Sequence, residues 1–403
     1  MWQTSMHLGE GQEAFRLDRI VQFAKAKLKP RIKYENSPYL KGEEFEYKLA
    51  CLAIRIMLDI DTTRRKGLRM ASRLVESHMR IVWSVPEDRE TMDTGAPSEP
   101  VLVEASAQLL HSDNIDMFDT LNTALSRNLI AKGERGELAA RILFIHAQDR
   151  VSRHTLDYYS MKYHGPIRLL EFLKQLFTDA AYDYIKNAIP IEDKPGAEPL
   201  EDAFKDAWVN FSHFAQAGDY GVTKLDSLRQ FFFRGVMLQC CDSQQTLDFT
   251  APMVFVQDIN SPFEEEDFSQ LGVQVKNRAT PVPTILDMKA FAPTSRHPIL
   301  TILLELGEAN APRTVDDGSV VFETLDRAST GGEEQHYQIT VHGLDALRLP
   351  PTEKASLQRV LEPGKPFESF SRRDRNMEIL KSNQPYYEET GATVEWWPKE
   401  GDM

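Results

Sequence analysis

Two short runs in the second half of the chain carry the residue types best placed to do chemistry. The first reads Thr246-Leu247-Asp248-Phe249-Thr250-Ala251-Pro252-Met253-Val254-Phe255, and the second Leu271-Gly272-Val273-Gln274-Val275-Lys276. Both are short, rich in β-forming residues and bounded by turn residues such as Asp242-Ser243 and Asn260-Ser261-Pro262, so they read as strands of a hairpin. Residues i and i+2 of a strand share a face, which makes Gln274 and Lys276 project together. Lys276 interrupts an otherwise apolar strand, and a buried ammonium is costly unless paired. Asp248, on the partner strand, is the candidate counter-charge. A plain cross-strand ion pair is one meaning of that arrangement.

The elements that must position these residues fall into two groups. The first half reads as helix: Phe45, Leu49, Leu52 and Ile56 recur at i, i+4, i+7 and i+11. Helical runs are expected over Lys66–Trp83, Val101–His111, Ile115–Asn128, Gly136–Asp149 and Pro166–Ile189, giving an all-α domain over residues 1–190. Pro190, Pro195, Gly196 and Pro199 then form a linker. A second domain over residues 196–348 opens with an expected helix, Leu200–Ala217, that turns Phe204, Trp208, Phe211 and Ala215 inward. Segments at Phe231–Cys241, Leu247–Gln257 and Leu271–Asn277 follow, then a short helix at Thr284–Phe291. Strands at Ile299–Leu306, Ser319–Thr324 and Tyr337–His342 complete a mixed sheet, since hairpin strands are antiparallel and a crossover helix makes a parallel neighbour. Residues 349–403, rich in charge, Pro and aromatics, are expected to form a partly ordered tail.

A helix, a strand hairpin carrying Asp, and then (Asp/Glu/Gln)-x-Lys resembles the PD-(D/E)xK nuclease superfamily. The Gln274-Val275-Lys276 form is similar to the variant in Mrr-type restriction endonucleases and in the nuclease-like domains of Crinkler-type effectors. The resemblance covers Glu198 to Arg348 and implies an αβββαβ, restriction-endonuclease-like fold. It also implies Mg²⁺-dependent hydrolysis of DNA or RNA, with Asp248 as a hard carboxylate ligand of the cation. Gln274 would stand where many members have an acid, and Lys276 would position the attacking water and steady charge on the phosphate. The family's Pro before the Asp is Leu247 here, and Gln274 gives a metal less charge than a carboxylate would. The family usually draws one more acid from its first helix. Glu201, near the inward stripe of Leu200–Ala217, is the first candidate. Glu137, in Gly136-Glu137-Leu138-Ala139-Ala140-Arg141, is the second, although its use requires a long insertion before the hairpin. A Glu at a helix start also simply complements the helix dipole. The alternative function is a catalytically inactive interaction module that reuses the nuclease-like fold.

Composition sets limits on these readings. With 403 residues, 41% apolar and 27% charged, the chain is globular. Its net charge of −14 argues against a broad nucleic-acid-binding face, which needs excess Lys and Arg, and leaves a protein partner open. The exception is Arg64-Arg65-Lys66 with Arg69 and Arg73. Arg65, Arg69 and Arg73 share one side of a helix, read as a solvated face, with a phosphate-binding patch as the alternative. No run reaches the length of a membrane span, and Met1–Lys27 is not a secretory signal. Cys51, Cys240 and Cys241 lack metal spacing and read as buried thiols of a reducing compartment, cytoplasm or nucleus. His146, His154 and His164 do not stack on one helical face, and His336 and His342 could share a strand face without a third ligand. There is no GxxxxGK[ST], no GxGxxG after a strand and no GxSxG, which disfavours nucleotide hydrolysis and serine-hydrolase chemistry. Trp396-Trp397 reads as an anchor, for a partner or for its own domain.

Overall fold

Three helices open the computed structural model: α1 (Glu10–Leu28), α2 (Leu40–Ile56) and α3 (Arg65–Ser77). The structure describes residues 10–29, 40–87, 89–130, 135–155, 161–191, 197–218, 225–241, 247–278, 296–308, 318–322 and 335–362. Phe45, Leu49, Leu52 and Ile56 are buried along α2, as their spacing predicts. Helix α3 buries Gly67, Ala71 and Leu74 but stops well short of Trp83. The His78 N–H donates to Leu74 O at 3.0 Å, and Met79 turns the chain with φ 62°. Ile81–Ser84 (β1) then pairs antiparallel with Asp93–Gly95 (β2). Consecutive β-branched and aromatic residues at Ile81, Val82 and Trp83 favour extended backbone.

Helices α4 (Pro100–Ser112), α5 (Met117–Ser126) and α6 (Arg135–Thr155) follow. Every residue from Leu138 to Ile145 in α6 is buried, the pattern of a helix packed on all sides. The single helix expected over Pro166–Ile189 is three elements: β3 (Ile167–Arg168), α7 (Leu169–Leu176) and α8 (Asp179–Ile185). Phe177 is extended, and the Thr178 hydroxyl caps α8 by accepting the Ala181 N–H. With β1, β2 and β3 in it, the first half is mainly helical rather than all-α.

The expected helix Leu200–Ala217 is also not formed. A one-turn helix, α9 (Leu200–Ala203), gives way to β4 (Ala207–Val209) and β5 (His213–Gln216). Phe204, at the end of α9, and Phe211, between β4 and β5, are buried as expected, while Trp208 and Ala215 are half-buried in the strands. Helix α10 (Leu225–Arg234) and strands β6 (Val236–Gln239), β7 (Phe249–Phe255), β8 (Phe268–Lys276), β9 (Ile299–Glu305), β10 (Val320–Phe322) and β11 (His336–His342) come next, then α11 (Pro351–Leu361). The helix expected at Thr284–Phe291 and the Trp396-Trp397 pair lie outside the described residues. Helix α11 replaces the start of the expected tail, with Leu357, Val360 and Leu361 buried and its Ser356 carbonyl accepting from Asn122 Nδ2 at 2.7 Å.

The sheet is mixed and runs β10-β11-β9-β8-β7-β4-β3. Strands β7 and β8 form the expected antiparallel hairpin, and β8 runs parallel to β9, as does β9 to β11. One edge of β7 is shared: its start pairs with β6 and its end with β4, while β5 runs parallel to β6 beyond. The main apolar core runs from Val21 in α1 to Leu361 in α11, with a smaller cluster of Phe232, Val254 and Phe268 beside it, and Met1–Leu361 forms one compact unit. At the two ends of the segment read as a linker, whose residues 192–196 lie outside the described residues, the backbone is bonded into it. The Ile191 N–H donates to His336 O at 2.7 Å, and the Leu200 N–H to Ala188 O at 2.8 Å. A buried ion pair crosses from helices to sheet: Arg55 of α2 grips Asp149 of α6 (Nη2–Oδ1 2.6 Å) while its Nε donates to Ser212 O, next to β5, at 2.7 Å.

Candidate functional site

Asp248 sits where β6, β7 and β8 meet. Its backbone N–H donates to Val273 O and its carbonyl accepts from the Cys240 N–H, both at 2.9 Å. The side chain joins the same pattern, with Oδ2 accepting the Val275 N–H at 2.6 Å. The carboxylate thus takes the place of a backbone carbonyl where the hairpin opens. Burial raises its pKa, against the opposing pull of the Val275 N–H and of the Lys276 and Arg141 charges.

The register decides which residues share a face. Gln239, Phe249 and Val273 lie side by side on one face. Helix α6 covers it there, with the Arg141 guanidinium 5.6 Å from the Phe249 ring centre. On the other face Gln270 Nε2 donates to Thr250 Oγ1 at 2.6 Å, and Phe232 of α10 packs on Val254 and Phe268. The two-residue period puts Gln274 and Lys276 on this second face, next to Asp248 at the head of β7. Gln274 is buried and Lys276 half-buried. The expected ion-pair contact is not made: among the described residues Lys276 has no acid within salt-bridge distance, and its charge reaches Asp248 only through space. Its parallel neighbour Glu305 is instead held by Arg278, whose Nε donates to Oε2 at 3.1 Å.

The two candidate helix acids part company. Glu201 is exposed on α9, its charge felt by Tyr182 and Lys186. No contact brings it to Asp248. Glu137, ranked second, is the one carried to the strand ends. Its Oε2 lies 3.5 Å from Gln239 Nε2 and 3.6 Å from Arg141 Nη2. Gly136 makes this approach possible, since a Cβ there would stand 3.1 Å from Asn277 Cβ and 3.4 Å from Val275 Cγ1. Burial, then the charges of Asp248, Cys241 and Glu137, push the Cys240 thiol up to about 12, so both carboxylates are near this residue. Arg141 is common to both, its Nη2 3.6 Å from Glu137 Oε2 and its charge acting on Asp248.

Gln239, Cys240 and Arg141 belong to this neighbourhood and were not singled out by sequence. Gln239 is buried, and its Oε1 has no hydrogen-bond partner among the described residues. The signal for Arg141 was its i+4 spacing from Glu137. A divalent cation asks for several convergent oxygen ligands. Of the candidate residues, Asp248 and Glu137 supply two carboxylates and Gln274 an amide. Among the described residues no group of three or more His, Cys, Asp or Glu could hold a metal.

The histidines are structural. His146 Nδ1 lies 3.2 Å from Glu353 Oε2 of α11. His164, held by burial at a pKa of about 4, meets Ser212 Oγ at 3.0 Å. His336 bonds Thr301 Oγ1 at 2.8 Å. The side chain of His154 lies outside the described residues.

The model of a family defined by a domain of unknown function (DUF8736) matches residues 43–282, more than half of the chain, and the chain belongs to that family. The matched span runs from α2 past the end of β8 and holds Glu137, Glu201, Asp248, Gln274 and Lys276. No curated protein and no solved structure matches the chain.

Proposed function

We propose that this member of the DUF8736 family is a catalytically silent, nuclease-like module that binds a partner rather than cleaving nucleic acid. The nuclease-like part of the reading is supported by strand order. Helix α10 leads into the antiparallel run β6-β7-β8, and β9 then returns parallel to β8. Asp248 heads the second strand of that run and Gln274-Val275-Lys276 ends the third, the places the PD-(D/E)xK resemblance assigns to them. The silent part of the reading is supported by one observation: one oxygen of the Asp248 carboxylate accepts the Val275 N–H, while Glu137, the candidate helix acid at the strand ends, engages Gln239 and Arg141. Glu137 is therefore not poised to share a Mg²⁺ ion with Asp248 and Gln274. Three free thiols accord with a reducing compartment, cytoplasm or nucleus, and no described helix is long and apolar enough to cross a membrane.

Calorimetric titration with Mg²⁺ and Mn²⁺, alongside incubation with labelled single-stranded DNA, duplex DNA and RNA, tests this. The expected result is no binding heat at millimolar metal and no cleavage of any substrate. Metal-dependent cleavage that disappears in both Asp248→Ala and Lys276→Ala, with folding intact, overturns it. That outcome would establish the second reading, a working Mg²⁺-dependent nuclease, which the proximity of Asp248, Gln274 and Lys276 favours.

A further inference from the structure

The chain is acidic overall, yet from Arg64 to Arg73 it carries five cations and no acid. Helix α3 displays them opposite its buried stripe of Gly67, Ala71 and Leu74. Asp61 takes Arg64, and Glu46 takes Arg73. The side chains of Arg65, Lys66 and Arg69 are exposed and make no hydrogen bond or ion pair with any described residue. Arg65 and Arg69 stand one turn apart on the same side. A solvated basic face would be unremarkable alone, but the next element is unusual too.

Strand β1 is exposed on both faces. Ile81 and Val82 are each 37% exposed, Trp83 63% and, just after the strand, Val85 56%. Gly95 of β2 forms a seat for the Trp83 indole: a Cβ there would fall 2.3 Å from Nε1. One side of the ring is thereby backed while most of its surface stays in solvent. The hairpin is also fixed to the helix. The Arg80 N–H donates to Leu74 O at 3.2 Å. Its guanidinium bonds Leu58 O, ahead of α3, at 3.0 Å and Thr94 of β2 through Oγ1 at 2.7 Å and O at 2.9 Å. Cations without a partner among the described residues and a backed aromatic plane thus lie on two elements braced together.

We infer that α3 and the β1–β2 hairpin form a docking surface for single-stranded nucleic acid. Guanidinium and ammonium groups without a partner among the described residues match phosphates. An exposed, backed indole matches the flat apolar face of a base, the combination by which single strands are held without sequence preference. An acidic peptide would satisfy the cations but offers nothing regular to stack on Trp83. The surface also leads towards the Asp248 neighbourhood. The turn ahead of α3 is bonded to the segment before α6 (Asp61 N–H to Leu129 O, 2.8 Å), and Arg141 donates to Ile56 O and Met57 O at 3.0 and 3.3 Å. The choice of nucleic acid as the polyanion rests on the nuclease-like reading above.

Fluorescence anisotropy with labelled oligothymidylate and oligouridylate of about 20 nucleotides, and with a duplex of the same length, tests the inference at about 50 and about 200 mM salt. The protein should bind the single strands at the lower salt. Arg65→Glu combined with Arg69→Glu should weaken binding at least about tenfold and reduce the single-strand salt slope by about 1.4. Trp83→Ala should weaken single-strand binding about 5- to 100-fold with little effect on the duplex. Circular dichroism and urea unfolding of these surface variants should match the parent, which separates lost binding from lost folding. Lack of binding by the parent protein, or parental affinity in the double reversal, overturns the inference. So does binding to phosphatidylserine vesicles in place of oligonucleotides. Asp248→Ala should bind as the parent does, so the docking surface and the silence of the Asp248 site can fail independently.

Discussion

Replacing Arg55 with Met should cost about 4 kcal/mol of folding stability, the mid-range of values for breaking a buried ion pair from one side. Both partners are essentially inaccessible, the Arg55 side chain at 0% and Asp149 at 1% exposure. The guanidinium makes three bonds that Met cannot: Nη2 to Asp149 Oδ1 at 2.6 Å, Nη1 to Oδ2 at 3.2 Å and Nε to Ser212 O at 2.7 Å. The variant leaves a carboxylate in the core with only His111 Nε2, 2.7 Å away, as a charged or polar neighbour on that side. It also deprives the Ser212 carbonyl of that donor. Replacing both members, Arg55→Met with Asp149→Leu, removes the stranded charge, so the double variant should recover at least half of the loss. The pH dependence has a definite sign. In the parent, burial of Asp149 is outweighed by Arg55 and His111, so its pKa lies below the usual carboxylate value and its stabilising contribution is lost only as pH falls below the carboxylate range. In Arg55→Met the same carboxyl is buried without its main partner, its pKa rises, and the deficit should shrink as pH is lowered from neutral. Urea unfolding followed by tryptophan fluorescence reads all three. A loss under about 1 kcal/mol, or a double variant no better than the single, refutes the reasoning.

The remaining predictions use the same assay. Asp248→Ala should cost about 1–3 kcal/mol by leaving the Val275 N–H without its acceptor, whereas Asp248→Asn, which can still accept that bond, should cost less. Because the Asp248 pKa is raised, its contribution is full at acid pH and declines as pH rises through the folded value, so the Asn variant should compare best near neutrality. His164 stays neutral in the fold down to a pKa of about 4 from an ordinary 6.5, and that alone should remove roughly 3 kcal/mol of stability as pH falls across this interval. Burial holds His213 well below 6.5 as well, which steepens the same loss. Gly235→Ala should destabilise by more than about 1–2 kcal/mol, since φ is +65° and the new Cβ would stand 2.6 Å from His164 Cε1.

Patterns that complete themselves locally could be read from sequence. The stripe Phe45, Leu49, Leu52 and Ile56 declares a helix within twelve residues, although Cys51, Ile54 and Arg55 beside it are buried too. The β7–β8 hairpin was legible because both strands and their intervening turn are contiguous, and Gln274 and Lys276 share a face by simple alternation. Residues 200–217 were not legible for the opposite reason. Phe204, Trp208 and Phe211 fit a helical stripe, but β4 finds its partner in β7 and β5 in β6, both distant in sequence, and those ladders decide the conformation. The choice between Glu201 and Glu137 followed that error. Glu201 was favoured because it stood at the head of a helix that does not form. Glu137 reaches the strand ends because Gly136 lets α6 lie against Val275 and Asn277, a contact across more than a hundred residues that periodicity cannot reveal.

The two sides of β8 differ in when they can be satisfied during synthesis. Its antiparallel partner β7 has already been made when β8 emerges, and the connection from Phe255 to Phe268 lets the pair close before β9 is made. Its parallel partner β9 follows only after the whole connection from Lys276 to Ile299, and β11 later still. Until Glu305 has left the ribosome, Leu271 and Val273 belong to a bare, apolar strand edge waiting for Leu300 and Ile302. Parallel pairing of this kind is slow because the loop must close before any contact is gained. The nascent chain therefore passes through a window in which its best-formed strand is also its stickiest. A pause in translation after β8 would lengthen that exposure, and a chaperone that covers strand edges would act here first.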